Sequence, residues 1–137
     1  MATTLPQPAN AELLVQDYLR AHEDITAIVG TRVASEVNES RPCLRVTQIT
    51  NSELFKSWFN ASLLQVDAYA ETQGQARILI DTVRRVLHDI AGTHDRGACT
   101  GVDIERGPDW APDPFRKNAQ DKPLPCYQVD ARIYVTP

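Results

Sequence analysis

Three histidines, His22, His88 and His94, are the first candidates for acid–base or metal chemistry. His88 and Asp89, with His94 and Asp95 beyond, suggest a ligand set. However, an i to i+6 spacing across a helix end and a glycine matches no recognised metal pattern. A cation near a helix C-terminus is favoured by the helix dipole, which accounts for all three positions without catalysis. The cysteines, Cys43, Cys99 and Cys126, contain no Cys-x-x-Cys pair, which excludes a zinc ribbon or redox dithiol. Each falls at or beside a predicted strand, where a reduced thiol behaves as a small buried hydrophobe. Asp67 and Asp130 sit on outward strand faces, and cross-strand pairing with Arg45 or Arg132 explains them better than a catalytic carboxylate pair. No Gly-x-Ser-x-Gly elbow, Gly-Lys-Ser/Thr loop or Gly-x-Gly-x-x-Gly turn is present, and six glycines leave little material for a phosphate cradle. The expectation is therefore no catalytic residue, no metal ligand and no cofactor.

Two aromatic-bearing segments point to contact rather than chemistry. Leu54 to Phe59 carries Phe55, Trp58 and Phe59 between two strands, flanked by Asn51, Ser52 and Asn60. A later proline-rich segment carries Trp110 and Phe115 beside Arg116 and Lys117. Aromatics with arginine on loops are the usual anchors of protein interfaces, so Phe55, Trp58, Phe59, Trp110, Phe115 and Arg116 form the candidate site. The competing structural reading is that each tryptophan folds back as a lid on the core. A single-stranded nucleic acid could also use basic and aromatic residues together, but only Arg116, Lys117 and Lys122 support that. A net charge of −4 and a pI of 5.3 weigh against it.

The elements that must position these residues follow from periodicity. Residues 1–9 read as a flexible tail. Asn10 is a suitable cap for a helix to about His22, with Leu13, Leu14, Tyr18 and Ala21 as its apolar stripe. A short turn over Ile25 to Val29, capped by Asp24, ends at Gly30. Short strands are expected at Arg32 to Val37, Cys43 to Ile49 and Ser62 to Ala70, the last alternating with Leu64, Val66, Ala68 and Ala70 on one face. Thr72 and Gln75 have capping-box spacing. The helix they open runs to Gly92 and carries Ala76, Leu79, Ile80, Val83, Val86, Leu87, Ile90 and Ala91 at i, i+3, i+4 spacing. It spans roughly 28 Å at 1.5 Å per residue, enough to cross a sheet. Arg84 and Arg85 read as part of its solvated face. Cys99 to Arg106 is a strand, residues 107–125 with five prolines are a long irregular loop, and Tyr127 to Val135 is a closing strand with Val129, Ala131, Ile133 and Val135 inward.

This order predicts an α+β two-layer sandwich: one mixed, mostly antiparallel sheet of about five strands, with two main helices on one face. At 137 residues a single domain over 1–137 is expected, and a chain of this size buries ~68% of its unfolded surface. An apolar fraction of 42% and a charged fraction of 23% match soluble globular proteins. No apolar run approaches a membrane span, and Met1 to Pro6 lacks the basic and apolar regions of a signal peptide, so a cytoplasmic origin is expected.

Several stretches together resemble the tail terminator proteins of long-tailed bacteriophages. Tyr18 to His22 followed by Ile28 to Val33 is similar to that family's opening helix and Val-Gly turn. Leu64 to Ala70 ahead of the long helix resembles its central strand, Gly107 to Asp113 its late loop, and Tyr127 to Val135 its closing strand. The resemblance covers nearly the whole chain, through structural and degenerate motifs that related head–tail joining proteins share. It implies a structural virion protein rather than an enzyme. Copies would form a hexameric ring capping the tail tube and joining it to the head connector, with a channel for DNA. The implied partners are further copies, the tail tube protein and the connector, with transient, non-sequence-specific contact to passing DNA and no membrane. The implied place is the tail or neck of the virion, assembled in the bacterial host cytoplasm. The alternatives are another neck completion protein, or a small protein-binding module. Exposed strand edges are the expected means of closing a ring.

Overall fold

Helix α1 (Ala11–Ala21) starts where Asn10 predicts, the Asn10 side-chain oxygen accepting from the Leu13 amide at 3.1 Å. The structure is a computed structural model that describes residues 8–53 and 59–137. The buried row of α1 is Ala11, Val15 and Leu19 with Leu14 beside it, a ridge at i+4 spacing; Ala21, expected inward, is exposed. Helix α2 (Glu23–Val29) follows at once, and its cap is His22 rather than Asp24: the ring Nδ1 accepts from the Asp24 amide at 3.2 Å. The His22 ring therefore caps the start of α2. Gly30 ends α2 with φ +61°.

Among the described residues the main sheet has six strands rather than about five. They are β1 (Val33–Ala34), β2 (Cys43–Glu53), β3 (Asn60–Tyr69), β4 (Gly92–His94), β5 (Gly97–Trp110) and a C-terminal strand. Between β5 and that strand a separate two-stranded ribbon pairs β6 (Asp113–Lys117) with β7 (Pro123–Leu124), so the C-terminal strand is β8 (Cys126–Thr136). The sheet order is β1-β2-β3-β8-β5-β4; β1 runs parallel to β2 and the other pairs are antiparallel, as a mixed, mostly antiparallel sheet requires. Strand β1 is shorter than Arg32 to Val37, and β4 was not expected.

Helix α3 (Gln73–Leu87) connects β3 to the β4–β5 pair, and the Thr72 hydroxyl accepts from the Gln75 amide at 3.2 Å. Its residues Ala76, Leu79, Ile80, Val83, Val86 and Leu87 are buried, as the 3.6 periodicity predicts, whereas Ala91 is exposed. Leu14, Val15, Leu79, Ile80 and Val83 share one core with Leu64, Val66, Val129 and Ile133, so α1 and α3 lie on the same face of the sheet. Leu64 and Val66 stand opposite Ala131 and Val129 across β3 and β8, which fixes the register of that face.

Two expectations about irregular segments change. Ala9, assigned to the tail, is buried and donates its amide to the Thr136 carbonyl at 3.3 Å; residues 1–7 of that tail lie outside the described residues. Residues 107–125, expected as one long loop, continue β5 to Trp110 and then form the β6–β7 ribbon. Pro108 is tolerated because β4 pairs only with Gly97 to Cys99, leaving β5 without an outer partner strand there. Gly107, at φ +97°, sits where a Cβ would collide with the Gln128 carbonyl and lie 3.1 Å from the Val129 Cα. The ribbon folds onto the helix-free face of the sheet. There Leu124 is buried with Cys43, Tyr69 and Cys126, and the Asn118 amide side chain donates to the Glu71 carbonyl at 3.1 Å.

Candidate functional site

The predicted anchors lie on opposite sides of the sheet. Trp110, at the end of β5, stands across from Tyr127 of β8, with ring centroids 5.1 Å apart. The Tyr127 hydroxyl accepts from the Gln73 side chain of α3 at 3.0 Å, and the Arg77 guanidinium lies 5.4 Å from the Tyr127 ring centre. Trp110 thus belongs to the helix side, and 45% of it remains exposed. The outward stripe of α3 continues this surface through Arg77, Ile78, Asp81, Arg84, Arg85 and His88, at i, i+3, i+4, i+7 spacing. A shallow groove of about 480 Å³ runs along it, and Ile78 is 64% exposed.

Phe115 lies on the other side. It is 93% exposed on β6, beside a groove of about 390 Å³ formed with Arg45, Tyr69 and Gln128 of the main sheet. Asp113 organises the start of this strand, accepting from the Phe115 amide at 2.9 Å and from Arg116 at 2.7 Å. Burial pushes the Asp113 carboxyl up, but the bonds from Arg116 and the Phe115 amide outweigh it and leave the group below its ordinary value. Arg116 is therefore a brace for the Phe115 strand, half-buried and engaged, not a free cation.

Beneath the ribbon Asp67 is wholly buried, although its strand position suggested a solvated face. It pairs with Arg45, as the cross-strand spacing predicts. Asp130 does not pair with Arg132; its contact is the Gln65 side chain at 3.4 Å, while Arg132 binds Glu105. The three cysteines are free and buried, and burial, with the nearby Asp67 charge, pushes the Cys126 thiol up to about 12.

Phe55 and Trp58 lie outside the described residues. Phe59 is half-buried just before β3, apart in sequence and element from Trp110, Phe115 and Arg116. Sequence reasoning passed over the exposed apolar residue in the α3 stripe because it read Arg84 and Arg85 as ordinary solvation. The exposed Ile78 among them was the available signal. Among the described residues no group of three or more His, Cys, Asp or Glu is placed to hold a metal ion, and no helix is long and apolar enough to cross a membrane.

No protein-family model matches the chain, and no curated protein sequence matches it. Among solved structures its fold is similar to that of a chain described as the virion of a native gene transfer agent (GTA) particle. The TM-score is 0.59 at 18% sequence identity, over 93% of this chain and 95% of that chain. The two chains share a fold along nearly their whole lengths.

Proposed function

We propose that this chain is a structural protein of a phage-like virion and, within it, a tail terminator. Copies close into a hexameric ring that caps the tail tube, receives the head connector on its other side, and leaves a channel for DNA. The observation that carries this reading is the fold shared with a virion chain over 93% of the present sequence. The motif order that resembles the terminator family supports the finer assignment. Exposed aromatics on two opposite sides of one sheet suit a subunit that meets different neighbours on each side.

The partners are then further copies, the tail tube protein and the connector protein, with DNA contact transient and independent of sequence. The protein acts in the virion neck after assembly in the bacterial cytoplasm and has no enzymatic task. The second reading is another neck completion protein, because the matched chain is described by its particle and not by its position in it.

Immunogold labelling of purified particles, with native mass measurement of the free protein, tests both readings. A terminator appears as a ring at the tail–head junction, with a mass six times the 15.3 kDa subunit. Label at another neck level selects the second reading. Absence of the chain from particles rejects both.

A further inference from the structure

The strand edges of the sheet are poor places for one copy to meet another. The outermost strands, β1 and β4, are short, which is a common protection against edge pairing. Next to β1, the edge of β2 is already occupied by α1. The Gln16 side chain donates to the Val46 carbonyl at 3.1 Å, and the Glu12 carboxylate accepts from the Gln48 amide at 2.7 Å. Strand β5 is interrupted by register shifts at Cys99/Gly101, Ile104/Arg106 and Arg106/Asp109. Contact between copies therefore falls to side-chain faces.

The charges on those faces are unequally satisfied. On the helix-free face each arginine is engaged: Arg45 with Asp67, Arg106 with Asp109, Arg116 with Asp113 and Arg132 with Glu105. On β5 and β8 two carboxylates remain over among the described residues. Among the described residues Asp103 accepts only from the Tyr134 hydroxyl and Asp130 only from Gln65, neither of them a cation. On α3 the surplus has the opposite sign. Arg77 pairs with Asp81 and Arg85 with Asp24, while Arg84 is the one arginine among the described residues with no hydrogen bond or ion pair.

We infer that the α3 face of one copy, with Ile78, Arg84 and the adjoining Trp110, docks on the helix-free face of the next copy, where Asp103 and Asp130 receive the arginine. This rests on the ring reading and specifies its contact. Because the two surfaces differ, the contact is head-to-tail, the kind that closes rings, whereas one patch meeting itself gives a two-fold dimer. The aliphatic Ile78, exposed at the edge of the arginine stripe, offers nothing to a phosphate or a stacked base, so the surface suits a protein neighbour better than nucleic acid.

Two variants test this: Ile78→Glu with Arg84→Glu on α3, and Asp103→Lys with Asp130→Lys on the sheet. At a concentration where the wild type is assembled, each variant alone should lose all species above monomer mass. Equimolar mixing should restore complexes of two or more copies, since each variant brings one native face. That recovery would also show both to be folded. Assembly of either variant like the wild type, or no recovery on mixing, would overturn the contact while leaving the ring reading intact. A wild type that forms no ring, alone or in particles, would remove both. If the α3 variant instead assembles normally but no longer binds a fluorescent DNA duplex that the wild type binds at low salt, α3 is a nucleic-acid surface and the inference is wrong.

Discussion

The Oδ2 atom of Asp67 receives both Nε and Nη2 of Arg45, at 2.8 and 2.7 Å, where the aspartate side chain is sealed from solvent. Among the described residues its Oδ1 meets no donor in hydrogen-bonding geometry, although Gln128 stands directly across the strand pair. Burial therefore outweighs the attraction of Arg45 and raises the Asp67 carboxyl above its ordinary value. Arg45 remains partly exposed and carries the smaller share of desolvation, so the same pair holds it protonated. A single ion pair thus strains one partner and secures the other.

The first prediction follows from that asymmetry. With its folded pKa raised, Asp67 makes the native state bind more protons than the unfolded chain between the two values. Its contribution to stability is then greatest at low pH and falls as pH rises through the folded pKa. An Asp67→Asn variant has no such titration. The melting temperature of the wild type minus that of the variant should increase as pH is lowered from 7 towards 4. A difference that decreases would mean the carboxylate is net stabilised by Arg45.

The second concerns the face of α3. Leu79 and Val83 are fully buried, so Leu79→Ala or Val83→Ala should destabilise by about 1–5 kcal/mol. Arg84→Ala, with no partner to lose, should stay within ~0.5 kcal/mol of wild type. Thermal melts in the reverse order would show the helix turned about its axis.

How much of this was legible in the sequence depended on whether a pattern carried its own explanation. The α3 stripe was, because apolar residues at 3.6 spacing have one face to bury. The alternation of Leu64, Val66 and Ala68 likewise named the helix side of β3. Burial of Asp67 and Tyr69 on the opposite side was not legible, since it depends on a ribbon from distant residues. That ribbon was hidden by its prolines: Pro108 and Pro114 argue against strand, yet a strand with an unpaired outer edge tolerates them. The split of Trp110 from Phe115 was hidden for the same reason. Within one loop they would be neighbours, but a strand and a folded-back ribbon send them to opposite faces.

Gly107 offers a third test. Its positive φ and its approach to the Gln128 carbonyl leave no room for a side chain. Gly107→Ala should lower the melting temperature more than Gly74→Ala, whose added methyl meets nothing within 4 Å. Gly74 also lies within α3, where alanine is the better helix former, so that control should be neutral or stabilising. Equal loss at both sites would mean the close approach of β5 to β8 is not maintained in solution.

The last prediction separates assembly from folding at the two exposed aromatics. Phe115 has almost nothing to lose on folding, so Phe115→Ala should change stability by less than ~0.5 kcal/mol. Trp110 leans on Tyr127, and Trp110→Ala should lower stability by about 1 kcal/mol through the lost ring pair, without unfolding the chain. If both are interface anchors, each substitution removes ~2–4 kcal/mol at one contact, and a closed ring repeats that loss at every subunit. Particle assembly should then fail in both variants while their melts stay close to wild type. Because the two rings lie on opposite faces, the double variant should be no less stable than the sum of the single effects. Normal particles with both Trp110→Ala and Phe115→Ala would sink the anchor assignment, leaving the two surfaces as exposed residues with no partner in the neck.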